Sequence, residues 1–295
     1  MIKLKLDREM WQFVKNKKRG LNLDIGGIGL TLSFPSPSFL KSVRSYYHPF
    51  INDRVGEYSI LIEVDKERYK RELINLGLEE LPPDMPPQLL KRDNETLVHL
   101  QGAFAIIGED GDVGYALFKD INPTALDSLV RILFSRLSLR HKGLLIHSAG
   151  VRMEGRGALF IGPSESGKST IAKLTPPSYT VLTDELSLVV KKNGDFWVFG
   201  TPFAGFSRRF RANFGVPLGA LFLNQKDELN YLEPASLPFS LKEVVSNSLL
   251  FETDSTRIEE FMGTAEELIL SVPCYKLHFK PTRELWKVIA DDKAR

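Results

Sequence analysis

The chain has 295 residues, of which 43% are hydrophobic and 26% are charged, with a net charge of +2 and one cysteine. These values are typical of a soluble globular protein with two domains or one large one, and they give no indication of nucleic-acid binding. A single cysteine cannot form an intramolecular disulfide, which fits a reducing compartment. The first residues lack the apolar core of a signal peptide, and no run of about 18 apolar residues occurs. We therefore expect a cytoplasmic protein that does not bind membranes.

Residues 1–120 are predicted to form a β-rich N-terminal domain. Short apolar or alternating runs predict strands at 21–25, 30–34, 58–64, 96–100, 103–107 and 113–118. The glycine cluster at 26–29 has no helical pattern behind it, so it predicts a hairpin turn and not a nucleotide-binding loop. Four prolines between residues 81 and 87 predict an exposed, irregular connector.

A predicted helix between residues 122 and 137 marks the start of a second domain, 121–295. Strands are predicted at 144–151, 158–161, 179–185, 186–190, 196–199, 220–223 and 274–279. Helices are predicted at 169–174, 241–250, 264–270 and 282–289. Asn193 and Gly194 separate two apolar runs and predict a hairpin. Strands and helices alternate less regularly than in a doubly wound sheet, so we predict an α/β fold of α+β character with a mixed sheet.

The strongest functional signal is the stretch 162–170, which matches the phosphate-loop (Walker A) pattern G-x-x-x-x-G-K-[ST]. A strand pattern precedes it and a helix pattern follows, so the glycines lie at a strand-to-helix turn. Backbone N–H groups and a solvent-facing Lys168 could surround the β- and γ-phosphates of ATP, and Ser169 could ligate Mg²⁺. The predicted nucleotide-binding residues are Gly162, Ser164, Glu165, Ser166, Gly167, Lys168, Ser169 and Thr170.

An acidic pair, Asp184 and Glu185, follows Lys168 by only 16 residues. In ordinary phosphate-loop NTPases the acidic strand comes later, after a full helix and at least one further strand. We predict that Ser169, Asp184 and Glu185 are the Mg²⁺ ligands, and that Asp184 also activates the acceptor hydroxyl. The choice of Asp184 assumes that one strand runs through both acidic residues, so that only one of them faces the site.

This order of motifs resembles HPr kinase/phosphorylase, in which a strand with a histidine precedes the glycine-rich loop, a short helix and an acidic pair. His147 takes the place of that histidine. The resemblance covers roughly the C-terminal half and extends to phosphoenolpyruvate carboxykinases and to HPr-kinase-like proteins of peptide-modifying biosynthetic clusters. It implies a Mg²⁺-dependent kinase that phosphorylates a hydroxyl, with serine of a protein or peptide as the expected acceptor, and in which His147 assists the catalytic carboxylate.

Two arginines, Arg208 and Arg209, follow a glycine-rich turn and lie close to Arg211. A short run of cations is usually a solvated loop. Beside a phosphate site, cations stabilise the charge on the transferred phosphoryl group, so we assign Arg208 and Arg209 to the catalytic residues.

Two departures from the HPr kinase pattern leave other functions open. Glu165 stands where these loops often carry a small residue, and the second acidic residue is a glutamate. The alternatives are a nucleotide-binding regulatory switch with weak transfer activity, a kinase of free serine or a similar small molecule, and, with less support, carboxykinase chemistry. The sequence is compatible with a homo-oligomer.

Overall fold

The computed structural model describes residues 20–34, 37–92, 95–108, 113–203 and 210–292. The chain divides into two compact units, one ending at Phe134 and the other beginning at Ser135. This boundary falls inside a helix, α3, that spans Pro123–Arg140. The sequence prediction placed the division near residue 120, just before this helix.

The first unit contains an eight-stranded mixed sheet. Its strands are β1 (Gly20–Ile25), β2 (Ile28–Ser33), β3 (Ile51–Asn52), β4 (Tyr58–Val64), β5 (Gln88–Arg92), β6 (Glu95–Leu100), β7 (Ala103–Gly108) and β8 (Val113–Phe118). Its helices are α1 (Pro37–Tyr47) and α2 (Lys66–Asn75), with a 3-10 turn at His48–Phe50. The strand order is β3-β1-β2-β4-β8-β7-β6-β5, in which the β2–β4 and β4–β8 pairs are parallel.

The six predicted strands of this unit are confirmed, whereas strands β3 and β5 and helices α1 and α2 were missed by the sequence analysis. Gly26 and Gly27 have φ angles of 65° and 91°, which make the predicted hairpin turn between β1 and β2. Asp65 caps α2 by accepting a hydrogen bond from the Arg68 backbone N–H. The helix buries Tyr69 within an apolar cluster on one face of the sheet.

The second unit contains the remaining strands and helices. Its strands are β9 (Gly143–Met153), β10 (Arg156–Ile161), β11 (Thr180–Thr183), β12 (Leu186–Lys192), β13 (Asp195–Phe199), β14 (Gly215–Lys226), β15 (Tyr231–Pro234) and β16 (Cys274–Phe279). Its helices after α3 are α4 (Lys168–Leu174), α5 (Leu237–Ser246), α6 (Ser255–Ser271) and α7 (Leu285–Asp292). The strand order is β10-β9-β12-β13-β14-β16-β15, and β11 also pairs with β9.

The sheet of the second unit is mixed, as predicted. Strand β10 pairs antiparallel with β9 and parallel with β14. Because of these two pairings, β10, β9, β12, β13 and β14 form a closed ring of strands. The hairpin between β12 and β13 turns at Asn193 and Gly194, whose φ angles are 52° and 93°. The predicted α/β fold is thereby confirmed.

Two apolar clusters define the faces of this sheet. Ile146 and Leu223 belong to one cluster. Ala149 and Phe222 belong to the other, which also contains Ile171 of α4. Because side chains alternate between faces along a strand, residues two positions from Ala149 or Phe222 lie on the α4 side of the sheet. Among the described helices, none is long and apolar enough to cross a membrane.

Candidate functional site

The glycine-rich loop, defined here as residues 162–168, leaves the end of β10 and enters α4. A Cβ atom on Gly162 would lie 2.5 Å from Oγ of Ser166, so a side chain has no room there. Gly167 has a φ angle of 94°, and a Cβ atom on it would lie under 3.0 Å from Cζ of Phe279. Both glycines of the sequence motif are therefore required by the local geometry.

The other loop side chains differ in exposure. Ser164, Glu165 and Ser169 are exposed, whereas Ser166 is buried and Thr170 is half-buried. Glu165 has a φ angle of 64°, a left-handed conformation that costs a residue with a Cβ atom about 1–2 kcal/mol. Because the side chain is exposed, solvent screens its charge.

Lys168 is bound by the loop itself. Its Nζ donates hydrogen bonds of 2.7 Å to the carbonyl oxygens of Gly162 and Pro163, and the residue is only 8% exposed. Burial lowers the pKa of Lys168, and the negative charge of Glu185 partly opposes that shift. The expectation that Lys168 faces solvent is therefore wrong, because the loop carbonyls bind the ammonium group in place of water.

His147 lies beside the start of the loop. Strand β9 pairs Ser148 with Ile161 of β10, so His147 is level with Gly162. His147 is two positions from Ala149 on β9, so both lie on the α4 side of the sheet. Its backbone N–H donates a 2.6 Å hydrogen bond to the carbonyl of Asn247, which fixes the strand at this position.

The acidic pair lies in a bend between β11 and β12, not within one strand. The condition under which Asp184 was chosen is therefore not met. Glu185 has a side chain that is 33% exposed, and its Oε1 lies 3.9 Å from Nδ1 of His147. Asp184 is only 3% exposed. Glu185 therefore lies beside His147, and its negative charge acts on the pKa of Lys168.

Two of the predicted catalytic residues, Arg208 and Arg209, lie outside the described residues. Arg211 is described and half-buried, and it forms a backbone bridge with Thr183. The adjacent Ala212 N–H donates a 2.9 Å hydrogen bond to the carbonyl of Leu182. These two backbone contacts bring Arg211 next to the acidic pair.

Asn224 is a polar residue near the loop that the sequence analysis did not identify. Parallel pairing sets Leu223 opposite Ile161, so Asn224 follows on β14 where Gly162 follows on β10. Its Nδ2 is 3.5 Å from the carbonyl oxygen of Ser166, and the residue is only 6% exposed. The sequence signal was a polar residue directly after the apolar run 220–223, but the β10–β14 pairing that gives it meaning is not visible in sequence.

The donor set fits a Mg²⁺ ion bound together with a nucleotide. Within the described ranges, no three His, Cys, Asp or Glu side chains are grouped to hold a metal ion by themselves. Mg²⁺ in nucleotide sites usually takes only one or two protein ligands, with water and phosphate oxygens completing its shell. The exposed Ser169 hydroxyl and the Glu185 carboxylate offer oxygen ligands of that kind.

Comparison with known proteins places the chain in a family. The family model for SynChlorMet cassette protein ScmC matches residues 117–293, which include every site residue described above. The chain belongs to the ScmC family. No match was found among curated proteins.

The solved structure of an Hpr(Ser) kinase/phosphatase from Coxiella burnetii is similar to part of the chain. It has a TM-score of 0.31 and 11% sequence identity, and the match covers 51% of this chain and 90% of that one. A likeness of this size says nothing about activity. The family match is to ScmC, and the structural likeness does not place the chain among the HPr kinases.

Proposed function

We propose that this member of the ScmC family is an ATP-dependent kinase that transfers the γ-phosphoryl group to a hydroxyl of a protein or peptide, with serine as the expected acceptor. The observation that carries the proposal is the convergence of three groups around Gly162. Lys168 bonds to its carbonyl, His147 lies level with it on β9, and Glu185 lies 3.9 Å from His147 and bears a charge that raises the pKa of Lys168. A cation, a carboxylate and an imidazole at a glycine-rich turn form a set suited to phosphoryl transfer.

In this proposal Lys168 changes partners when a nucleotide binds. Its two hydrogen bonds to loop carbonyls would be replaced by bonds to phosphate oxygens, which are stronger because both partners are charged. Bound with the nucleotide, Mg²⁺ would neutralise charge on the β- and γ-phosphate oxygens. Ser169, with Asp184 or Glu185, would hold that ion.

The acceptor hydroxyl needs a carboxylate to accept its hydrogen bond and orient its oxygen. The geometry favours Glu185 over the initially predicted Asp184, because Glu185 is partly exposed and lies 3.9 Å from His147. In a loose transition state little proton removal is needed early, so positioning matters more than basicity. His147 would hold the carboxylate in place.

Paired amide variants test this assignment. Glu185→Gln is expected to reduce kcat by about a hundredfold or more, as for loss of a positioned base. If Asp184 holds Mg²⁺ while Glu185 positions the hydroxyl, the Asp184→Asn enzyme should need more Mg²⁺ for its half-maximal rate. High Mg²⁺ should then restore its activity. An inactive Asp184→Asn enzyme that high Mg²⁺ does not rescue, beside a fully active Glu185→Gln enzyme, would show that Asp184 is the positioning carboxylate.

The regulatory alternative drew its support from Glu165. Solvent screens the charge of its exposed side chain, so we expect it to weaken nucleotide binding little. Incubation of the protein with labelled ATP and a panel of proteins, peptides, free serine and water separates the remaining alternatives. Label on a protein or peptide supports the proposal, label on free serine indicates a small-molecule kinase, and release of phosphate to water alone would contradict a kinase.

Nucleotide binding itself is tested with two lysine variants of the same helix. Lys168→Met should weaken Mg-ATP binding more than tenfold, because the cation that would meet the phosphates is lost. Lys173→Met, an exposed position in the last turn of α4, is the matched control and should bind like wild type. Equal affinities of all three proteins in calorimetric titration would refute the proposed phosphate site.

A further inference from the structure

We propose that Asn224 is a positioning residue of the nucleotide site, whose Oδ1 accepts a hydrogen bond from a water molecule on the Mg²⁺ ion of Mg-ATP. This inference rests on the proposed function and extends it to a residue outside the sequence motif.

Asn224 and His147 flank the start of the glycine-rich loop from opposite sides. Strand β10 lies between β9 and β14, and the pairings Ser148–Ile161 and Leu223–Ile161 set both residues level with Gly162. Asn224 is two positions from Phe222 on β14, so it lies on the α4 side of the sheet, as His147 does. A Cβ atom on Gly162 would lie 3.4 Å from Cβ of Asn224, so this side chain directly adjoins the loop.

The amide of Asn224 is only half used by the protein. Its Nδ2 donates to the Ser166 carbonyl over 3.5 Å, which assigns the oxygen to the other position. Within the described part of the chain, Oδ1 is buried and accepts no hydrogen bond, although the residue is 94% buried. A buried acceptor without a donor costs about 1–3 kcal/mol, so an atom of this kind calls for an explanation.

The chemistry of the nucleotide limits what can bond to this atom. Phosphate oxygens are acceptors, so they can take a hydrogen bond from the Ser166 hydroxyl, whose Oγ is also buried without a partner among the described residues. They cannot satisfy Oδ1 of Asn224, which needs a donor. Mg²⁺ in nucleotide sites keeps several waters, and each of these is a hydrogen-bond donor. A metal-bound water therefore supplies what Asn224 lacks.

The inference predicts that Asn224 contributes to binding only when the metal is present. We would titrate wild type and Asn224→Ala with the non-hydrolysed analogue AMP-PNP by calorimetry, with excess Mg²⁺ and with EDTA. The ratio of the two Kd values measures how much Mg²⁺ strengthens binding. That ratio should fall about 5- to 10-fold in Asn224→Ala, while the affinity in EDTA stays close to that of wild type.

Two further variants make the test specific. Asn224→Asp keeps an acceptor oxygen and loses the donor, so it should retain the wild-type gain from Mg²⁺ or exceed it. Gln225→Ala removes an amide from the next residue, on the opposite face of β14, and should match wild type. Thermal unfolding without ligand checks that each variant is folded.

The possible outcomes separate the inference from the function on which it rests. An Asn224→Ala protein that loses affinity equally with and without Mg²⁺, or keeps the full gain, overturns the role of Oδ1. The same conclusion follows if Asn224→Asp loses the gain as Ala does, because the bond to Ser166 would then be what matters. Wild type that binds no AMP-PNP under either condition refutes the proposed function together with the inference.

Discussion

Replacing Gly167 by alanine tests the geometry of the glycine-rich loop most directly. Two costs are expected. Gly167 has a φ angle of 94°, and holding a residue with a Cβ atom in a left-handed conformation costs about 1–2 kcal/mol. The new Cβ would also lie under 3.0 Å from Cζ and 3.2 Å from Cε2 of Phe279, a buried ring, and such overpacking costs about 1–3 kcal/mol. The expected loss of unfolding free energy is therefore about 2–5 kcal/mol.

The turn between β9 and β10 provides a matched control. Gly155 has a φ angle of 82°, and nothing lies within 4 Å of a Cβ atom built on it. Gly155→Ala therefore carries the backbone cost alone. Urea unfolding of the three proteins, followed by tryptophan fluorescence and circular dichroism, should show that Gly167→Ala is less stable than Gly155→Ala by about 1–3 kcal/mol.

A double-mutant cycle then attributes the difference to one contact. Phe279→Leu replaces the ring by a smaller side chain, so Gly167→Ala should cost less in that background than in wild type, by about the steric part. Equal stability losses for Gly155→Ala and Gly167→Ala, or no coupling between Gly167 and Phe279, would refute the reasoning. Gly167→Ala should also weaken AMP-PNP binding, because relieving the clash displaces the loop.

Three further predictions concern other residues. Burial lowers the pKa of His99 below the 6.5 of an exposed histidine, so the unfolded chain takes up the proton first and stability falls as pH drops below about 6.5. His99→Phe should therefore reduce the change in unfolding free energy between pH 7.5 and 5.5, measured by urea unfolding. An unchanged pH dependence would contradict this. Glu165→Gly should raise stability by about 1 kcal/mol in the same assay, because its backbone is left-handed. The AMP-PNP affinity should stay within about twofold of wild type, because the side chain is exposed. Arg136→Met should cost about 3–5 kcal/mol because it removes the cation 3.2 Å from the buried Glu252 carboxylate, whereas Lys242→Met, at an exposed lysine, should cost under about 1 kcal/mol. Similar losses would contradict the difference.

Features that depend on neighbouring residues in the chain were predictable from sequence. The loop motif, the hairpins at Gly26 and Asn193, and β16 at Cys274–Phe279 each have a local cause in turn residues or in an apolar run. Local patterns failed where the helix signal was weak. Helix α2 reads KERYKRELIN and has few apolar positions, so its burial of Tyr69 against the sheet was not apparent.

Features that depend on strand pairing were not predictable. Nothing in the local sequence indicates that β14 lies parallel to β10, yet this pairing alone brings Asn224 to the loop. Lys168 was expected to supply a solvent-facing charge for a phosphate, but the turn presents two carbonyl oxygens to its ammonium group. Both cases involve contacts set by the path of the backbone and not by the residue types.

The pairing of β9 also explains how the acidic residues come to differ in exposure. Strand β9 pairs with β12 as far as His147 and with β11 from Gly150 onward, so one long strand serves two shorter partners. The chain therefore ends β11 and begins β12 opposite Ser148, and Asp184 and Glu185 connect these two strands. The Ser148 N–H donates a 3.1 Å hydrogen bond to the Glu185 carbonyl, which holds the bend at the level of the glycine-rich loop. A bend frees both side chains from strict alternation, so Glu185 can reach towards His147 while Asp184 is buried. The two carboxylates therefore have different surroundings, which is the condition under which adjacent acidic residues can take different roles.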